Sequence, residues 1–113
     1  MEPPSTPFAL VLTTAGTEEE AQRIARALVE DRLAACVNVA PKITSVYRWK
    51  GTLLTETEWL LLIKTRRALF SRVQEAVRRL HSYELPELLL VPVEGGEENY
   101  LKWLAEGTAP KDA

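Results

Sequence analysis

Apolar and polar residues alternate along the middle of the chain, from Cys36 to Lys50. Successive side chains of a strand point to opposite faces, so a period of two predicts a half-buried strand. The pattern assigns an apolar set to one face: Val37, Val39, Ile43, Tyr47 and Trp49. A turn at Gly51 then leads into a second arm from Leu53 to about Lys64. The predicted hairpin has arms about twice the usual ~5–6 residues of a strand.

Helical spacing flanks this hairpin on both sides. Thr17 is a good N-cap with Glu20 three residues later, as in a capping box, and apolar residues then recur at helical spacing. A second amphipathic stretch follows the hairpin. The predicted elements are a strand from Phe8 to Leu12, helices over 17–33 and 67–81, a strand from Leu88 to Val93, and a closing helix over 97–106.

This order predicts an α+β fold, the ferredoxin-like βαββαβ sandwich with one extra C-terminal helix. Right-handed crossovers favour an antiparallel sheet of order 4132 with both main helices on one face. Pro41 and Pro92 fall in strands two and four, the two edges of that order, where a missing backbone donor is tolerated. We expect one domain over 8–106, with disordered tails over 1–7 and 107–113.

The long second strand predicts self-association. It is an edge strand carrying Tyr47 and Trp49, and an exposed edge of this length is prone to aggregation unless it is covered. The run from Trp59 to Ile63 is apolar on both faces, whereas the helices cover only one face of the sheet. We therefore expect a homo-oligomer of closed symmetry, in which one subunit covers another.

Composition excludes several classes of partner. The 113 residues carry a net charge of −2, with no basic run, which argues against nucleic acid or an anionic membrane surface. No apolar run approaches the ~20 residues of a membrane span, and the N-terminus does not resemble a signal peptide. Cys36 is the only cysteine, so no intrachain disulfide is possible, which suits a reducing compartment.

Few residues are candidates for chemistry. Cys36 is either a small buried hydrophobe, which we favour, or a metal or redox ligand. His81, the only histidine, is either a capping residue at a helix end, which we favour, or a metal ligand. Lys64, Tyr83 and Glu87 are expected to converge near His81. They would hold an anionic ligand, act as an acid–base pair or form a satisfied structural network.

The aromatic residues of the hairpin and the lack of catalytic motifs both favour an interaction protein over an enzyme. Tyr47 and Trp49 fit an interface better than a ligand platform. The sequence has no Gly-rich phosphate loop, nucleophile elbow or paired catalytic carboxylates, so we expect no enzymatic activity.

Four segments carry a specific family resemblance: DRLAACVNVAPKITSVYRWKG, LLLIKT, HSYELPELLLVPV and NYLKWL. In this order and spacing they closely resemble the CutA family, the divalent cation tolerance proteins. The resemblance covers residues 8 to about 106. It implies a ferredoxin-like fold, a cytoplasmic homotrimer and a role in tolerance to divalent metals, with weak binding of Cu²⁺ or another divalent cation.

These expectations assign provisional roles to particular residues. His81 is the candidate metal ligand, and an inter-subunit cleft would use Cys36, Lys64, Tyr83 and Glu87. The candidate trimer interface comprises Tyr47, Trp49 and Trp59. The chain also departs from the family pattern in residues associated with copper ligation or loop rigidity: Thr13 replaces a cysteine of some members, Leu80 replaces a second histidine, and Ser82 replaces a proline.

Two other functions compete with metal tolerance. A trimeric sensor similar in architecture to PII signalling proteins would bind a small molecule between subunits. An acylphosphatase-type enzyme shares the fold, but it needs a Gly-rich anion loop that this sequence lacks, and fold alone does not support it. Both metal tolerance and the sensor function are compatible with a small ligand or an unknown protein partner.

Overall fold

The computed structural model describes residues 6–110, which form four strands and three helices. A short 3-10 turn over Arg67–Leu69 precedes the second helix. In chain order the elements are β1 (Phe8–Ala15), α1 (Glu18–Glu30), β2 (Cys36–Trp49), β3 (Thr52–Arg66), α2 (Phe70–Leu80), β4 (Leu89–Pro92) and α3 (Glu98–Gly107). The predicted order of elements is confirmed, and boundaries differ by a few residues.

The sheet is antiparallel with the spatial order β2-β3-β1-β4, which is the predicted order 4132 read from the opposite edge. Pro41 and Pro92 therefore lie on the two edge strands, as predicted. The hairpin arms contain 14 and 15 residues, and Lys50 and Gly51 join them with φ values of 49° and 83°. Two successive positive φ values are typical of a tight type I′ hairpin turn.

One face of the sheet carries the hydrophobic core. Val11, Leu61 and Ile63 point to this face and are fully buried. They pack in one cluster with Ile24 and Leu28 of α1, and α2 contributes Val73, Ala76 and Val77. Both helices thus cover the same face, as expected for this sandwich.

The opposite face of the sheet remains apolar but has no helix layer comparable to α1 and α2. The strand register assigns six aliphatic residues to it, namely Leu10, Leu12, Leu60, Leu62, Leu89 and Val91. We call these six residues the open face. The four leucines on the central strands are half-buried, whereas Leu89 and Val91 are 55% and 37% exposed. This arrangement agrees with the expectation that the apolar run of β3 needs cover on both sides.

A β-bulge corrects the predicted facing of β2. Val39 lies opposite Leu61, but Ile43 lies opposite Glu58, so β2 contains one extra residue between these pairs. Lys42 within the bulge has a φ of 54°. Directly opposed residues share a face, and an extra residue reverses the alternation beyond it. Ile43, Tyr47 and Trp49 therefore lie on the side of the open face, whereas Val37 and Val39 face the core, so the prediction of one common face was wrong.

Two arginines fasten the C-terminal segment to the domain. Arg32 has a φ of 59°, and its guanidinium donates hydrogen bonds to the carbonyls of Ala109 at 2.6 Å and Glu106 at 2.5 Å. Arg66 donates to Thr108 Oγ1 and to the Ala105 carbonyl, both at 2.8 Å. These contacts lie beyond residue 106, the predicted domain end, and the disorder expected over 107–113 stays a prediction.

At the N-terminus, the hydroxyl of Thr6 donates a hydrogen bond to the Val93 carbonyl, and the Arg67 amide donates to the Pro7 carbonyl at 2.9 Å. Residues 6 and 7 therefore contact the domain, and the disorder expected over 1–7 stays a prediction. The remaining parts of the predicted tails, residues 1–5 and 111–113, lie outside the described residues.

Candidate functional site

A cleft of about 850 Å³ lies between the distal half of the hairpin and the loop that follows α2. Its walls contain acidic, aromatic and aliphatic side chains but no lysine, arginine or histidine. We call this the acidic cleft, and define it by its carboxylates and rings: Glu56, Glu58, Glu84, Glu87, Tyr47, Trp49 and Tyr83.

Glu58 is the most buried carboxylate of the cleft, with only 6% of the residue exposed. The hydroxyl of Tyr83 donates a hydrogen bond to Glu58 Oε2 at 2.8 Å. Burial, followed by the hydrogen bond and charge of Glu58, raises the pKa of Tyr83 above its ordinary value. Tyr83 also lies close to Gly16, where an added Cβ would be 2.9 Å from its hydroxyl.

Two further groups of the cleft have raised pKa values. Burial raises the pKa of the Glu87 carboxyl, and the nearby charge of Glu58 raises it further. Tyr47 donates a hydrogen bond to Glu56 Oε1 at 2.8 Å, and this bond is the main reason that its pKa is raised. An ion pair between Lys50 and Glu84 at 3.6 Å lies at the exposed rim. With four carboxylates and no basic residue in its lining, the cleft is an electronegative surface.

His81 holds the start of the cleft loop. Its side chain is fully buried, and its Nε2 lies 2.6 Å from the carbonyl of Thr14. The backbone amide of Tyr83 donates to its Nδ1 at 3.0 Å, which assigns the ring proton to Nε2 in the neutral tautomer. Since both nitrogens are engaged within the chain, a metal ion would have to displace one of these contacts. The role of His81 as a metal ligand stays a prediction.

Glu20 braces the same loop from α1. Only its backbone takes part in helix capping, by donating from its amide to Thr17 Oγ1 at 3.1 Å. Its carboxylate instead accepts from the amide and hydroxyl of Ser82, at 2.9 and 2.8 Å, and lies 3.1 Å from Nδ1 of His81. Burial opposes ionisation of Glu20, but the hydrogen bonds from Ser82, and after them the proximity of His81 and Arg23, outweigh it and lower the pKa.

Lys64 and Cys36 lie far from the acidic cleft. They are cross-strand partners near the other end of the hairpin, where Lys64 donates a hydrogen bond to Asn38. Six residues separate Lys64 from Glu58 along β3, which corresponds to about 20 Å at ~3.3 Å per residue. The expected convergence of Lys64 with Tyr83 and Glu87 within one chain was therefore wrong. A shared cleft between subunits stays a prediction.

The three candidate interface residues occupy different faces. Tyr47 and Trp49 lie beside the acidic cleft on the side of the open face. Trp59 lies opposite Ala15 and packs against the core below the helices. An interface role for these residues stays a prediction, but Trp59 does not share a surface with the other two.

Sequence reasoning missed Glu58 and the function of the Glu20 carboxylate. Glu58 stands at the boundary between the polar and apolar halves of β3, and that change of character was its only signal in the sequence. Within residues 6–110 no group of three or more His, Cys, Asp or Glu side chains is arranged to hold a metal ion. In the same range no helix is long and apolar enough to cross a membrane.

Residues 9–107 match the profile of a family described as CutA1 divalent ion tolerance protein. This match covers nearly the whole described domain. The chain belongs to the CutA1 divalent ion tolerance protein family.

Individual CutA relatives support this assignment. The chain is 48% identical over 99 residues to the Thermus thermophilus divalent-cation tolerance protein CutA, which covers 88% of this chain and 96% of that protein. A solved structure of the Thermus protein superimposes with a TM-score of 0.88, covering 90% and 99% of the two chains at 47% identity. The ferredoxin-like CutA fold is thereby confirmed.

Other CutA proteins differ in length and in the location that their names give. An Arabidopsis thaliana relative named chloroplastic is 40% identical over 102 residues, and the match covers 90% of this chain but only 56% of that protein. The structure of an Archaeoglobus fulgidus CutA described as periplasmic is 38% identical, with a TM-score of 0.87 over 90% of this chain and 99% of that one. Membership of the family therefore does not fix a compartment.

The departures from the CutA pattern have clear structural positions. Thr13 is fully buried on the core face, and its hydroxyl has no hydrogen-bond partner among the described residues. Leu80 packs against the core cluster at the end of α2. Neither residue supplies a soft copper ligand, so the oxygen donors of the acidic cleft are the better candidates for a cation.

Proposed function

We propose that this CutA1 family protein contributes to divalent cation tolerance by binding the cation weakly at its acidic cleft. The observation that carries the proposal is the gathering of Glu56, Glu58, Glu84 and Glu87 in one cleft whose lining contains no lysine, arginine or histidine. A divalent cation beside Glu58 and Glu87 would offset this negative charge, and carboxylate oxygens are suitable donors for such ions. Two carboxylates leave several coordination positions to water, which is why weak binding is expected. The names of these two relatives refer to divalent cation tolerance.

Calorimetric titration with Cu²⁺ and Zn²⁺ tests this function. Glu87→Gln should weaken binding several-fold, because it removes one donor charge while keeping the shape of the side chain. Glu30→Gln, an exposed site at the end of α1, removes the same charge outside the cleft and should leave affinity unchanged. Equal affinity for wild type and Glu87→Gln would refute the cleft as the metal site.

Copper also permits a test of the donor type. An electron paramagnetic resonance spectrum of the Cu²⁺-loaded protein that lacks nitrogen hyperfine structure would support binding by carboxylates and water. Nitrogen splitting that disappears in His81→Asn would instead support the sequence-based prediction that His81 is a ligand.

The second part of the proposal is a homotrimer, for which the open face is the support. Six aliphatic side chains on one sheet face are a large apolar surface for a small soluble domain, and such surfaces are typical of protein interfaces. Three copies that cover one another would also shield the edge strand β2. The number three comes from the family resemblance.

Sedimentation equilibrium tests the assembly. Leu62→Asp introduces a charge at the centre of the open face and should produce monomers, because an unpaired buried charge costs several kcal/mol. Leu53→Asp changes a leucine that is 64% exposed on the other side of the hairpin, and it should leave the trimer intact. Trimers of Leu62→Asp, or monomers of the wild type at micromolar concentration, would refute the interface.

The remaining expectations stay predictions. The cytoplasmic location rests on the single cysteine alone, because relatives named chloroplastic and periplasmic do not point to one compartment. The absence of enzymatic activity rests on the names of the relatives, which refer to divalent cation tolerance. The PII-like sensor is not favoured, since the CutA relatives described above carry names that refer to divalent cation tolerance or to CutA alone.

A further inference from the structure

Two buried polar atoms on the core face of the sheet, Oγ1 of Thr13 and Nε1 of Trp59, have no hydrogen-bond partner within residues 6–110. Thr13 is fully buried, and Nε1 of Trp59 is closed to solvent although the residue as a whole is half-buried. Native proteins leave few buried polar groups unpaired, because each one loses its hydration without compensation. The third atom of this kind, Nε of Arg67, lies beyond the end of β3 and is not part of the pair.

The strand register makes Thr13 and Trp59 diagonal neighbours. Thr13 pairs with Leu61 and Ala15 pairs with Trp59, so the two side chains share one face at adjacent positions of the ladder. Diagonal neighbours of an antiparallel pair are about 7–8 Å apart, within reach of an aromatic side chain. Two hydrogen bonds that meet at one oxygen atom span up to about 5.8 Å. One water molecule therefore has the right size to join the two side chains.

The chemistry of the two groups also fits water. An indole N–H can only donate, whereas a hydroxyl both donates and accepts, so one water can accept from Trp59 and donate to Thr13. The cluster against which Trp59 packs is aliphatic, with Ile24, Leu28 and Leu61 fully buried. An ion would lose its hydration there without an opposite charge in that cluster, but a neutral water needs only hydrogen-bond partners.

From this geometry we infer that one water molecule is bound inside the core, between Nε1 of Trp59 and Oγ1 of Thr13. It links β1 to β3 next to the contacts of the cleft loop, because the Thr14 carbonyl engages His81 and Glu58 precedes Trp59 in β3. The inference is independent of the proposed metal site, since neither of its two residues lines the acidic cleft.

Nuclear magnetic resonance of the isotope-labelled, full-length protein tests the inference. The chain has three tryptophans, and spectra of Trp49→Phe and Trp103→Phe assign the third indole resonance to Trp59 without a change in the core. A long-lived water should give the indole proton of Trp59 a nuclear Overhauser effect, which has the opposite sign to chemical exchange in the rotating frame. The indole of Trp103, a residue that is 47% exposed, should show exchange alone.

Variants of Thr13 identify the second partner of the water. Thr13→Ser keeps the hydroxyl and should keep the water signal at Trp59. Thr13→Val has nearly the same shape without the hydroxyl and should lose the signal. The absence of a water signal at Trp59 in the wild type would overturn the bound water, and a signal that persists in Thr13→Val would overturn Thr13 as its partner.

Urea unfolding gives a second readout, in which the two cases have opposite signs. If the Thr13 hydroxyl is unpaired, Thr13→Val removes an unsatisfied group and should raise the urea midpoint. If a water joins the pair, the same change breaks the link and leaves the indole of Trp59 without its full set of partners, so the midpoint should fall. A raised midpoint for Thr13→Val at the protein concentration used for wild type would overturn the inference.

Discussion

The Glu20 carboxylate offers the most direct test of how the cleft loop is held. It accepts two hydrogen bonds from Ser82, at 2.9 and 2.8 Å, and lies 3.1 Å from the buried imidazole of His81. A hydrogen bond to a charged group contributes about 1.5–3 kcal/mol. Glu20→Gln retains one acceptor oxygen but turns an amide group towards the Ser82 donors, so it should lose about one such bond.

We therefore expect Glu20→Gln to lower the free energy of unfolding by about 1.5–3 kcal/mol at pH 7. For a domain of this size that loss corresponds to roughly 6–12 °C in Tm, at about 4 °C per kcal/mol. Urea denaturation followed by circular dichroism measures it, with all variants at one protein concentration because self-association affects apparent stability. Glu19→Gln, an exposed neighbour in the same helical turn, is the matched control and should change stability only slightly.

The pH dependence gives an independent check. The pKa of Glu20 is lowered in the folded protein, so the folded state favours its ionised form. Its contribution is fully present above the ordinary pKa of 4.5 and is lost as pH falls through the lowered value. The difference between wild type and Glu20→Gln should therefore be constant from pH 7 to about 5 and shrink below 4.5. A constant difference down to pH 3, or an equal loss in Glu19→Gln, would refute this account.

Three further predictions follow from the cleft and the core. Gly16→Ala should destabilise the protein by about 1–3 kcal/mol, because the added Cβ would crowd the Tyr83 hydroxyl. In thermal melts, the double variant Gly16→Ala with Tyr83→Phe should lose less stability than the sum of the two single variants, and full additivity would contradict the contact. Glu87→Gln should be as stable as wild type at pH 4 and slightly more stable at pH 7. A carboxyl whose pKa is raised by folding contributes stability below its ordinary pKa of 4.5, and this contribution is lost as pH rises through the folded-state pKa. Urea unfolding midpoints at both pH values measure the difference, and a variant less stable than wild type at pH 7 would contradict the prediction. Ile63→Ala should cost about 2–5 kcal/mol in urea unfolding, because the side chain is fully buried, and a loss below 1 kcal/mol would show that the core collapses around the cavity.

Local patterns predicted the architecture well. The period of two in β2 and the helical spacing of α1 and α2 reflect which side chains meet the core, so they identified the elements and their order. The two prolines then agreed with the edge positions of β2 and β4. Where the patterns failed, a single backbone feature was responsible: one extra residue near Lys42 reverses the facing of every side chain between it and the turn.

The site was less predictable because its contacts are long-range. Glu20 meets Ser82 across 62 residues of sequence, and Tyr83 meets Glu58 across 25. Apart from the change from polar to apolar residues at Glu58, nothing in either local segment distinguishes these carboxylates from the solvated ones nearby. The error for Lys64 was avoidable, since six strand residues place its backbone about 20 Å from that of Glu58 in any extended chain.

The extra residue in β2 has a consequence for how this protein could diverge. If the core pairing of Val37 and Val39 is kept, removing one residue at Lys42 would restore strict alternation and turn Tyr47 and Trp49 away from the carboxylates of β3 without replacing either ring. A change in chain length at this one point would then place Val46 and Arg48 on the side that the two rings now occupy. In proteins of this architecture, an insertion or deletion in the hairpin deserves the same functional scrutiny as a substitution in the cleft.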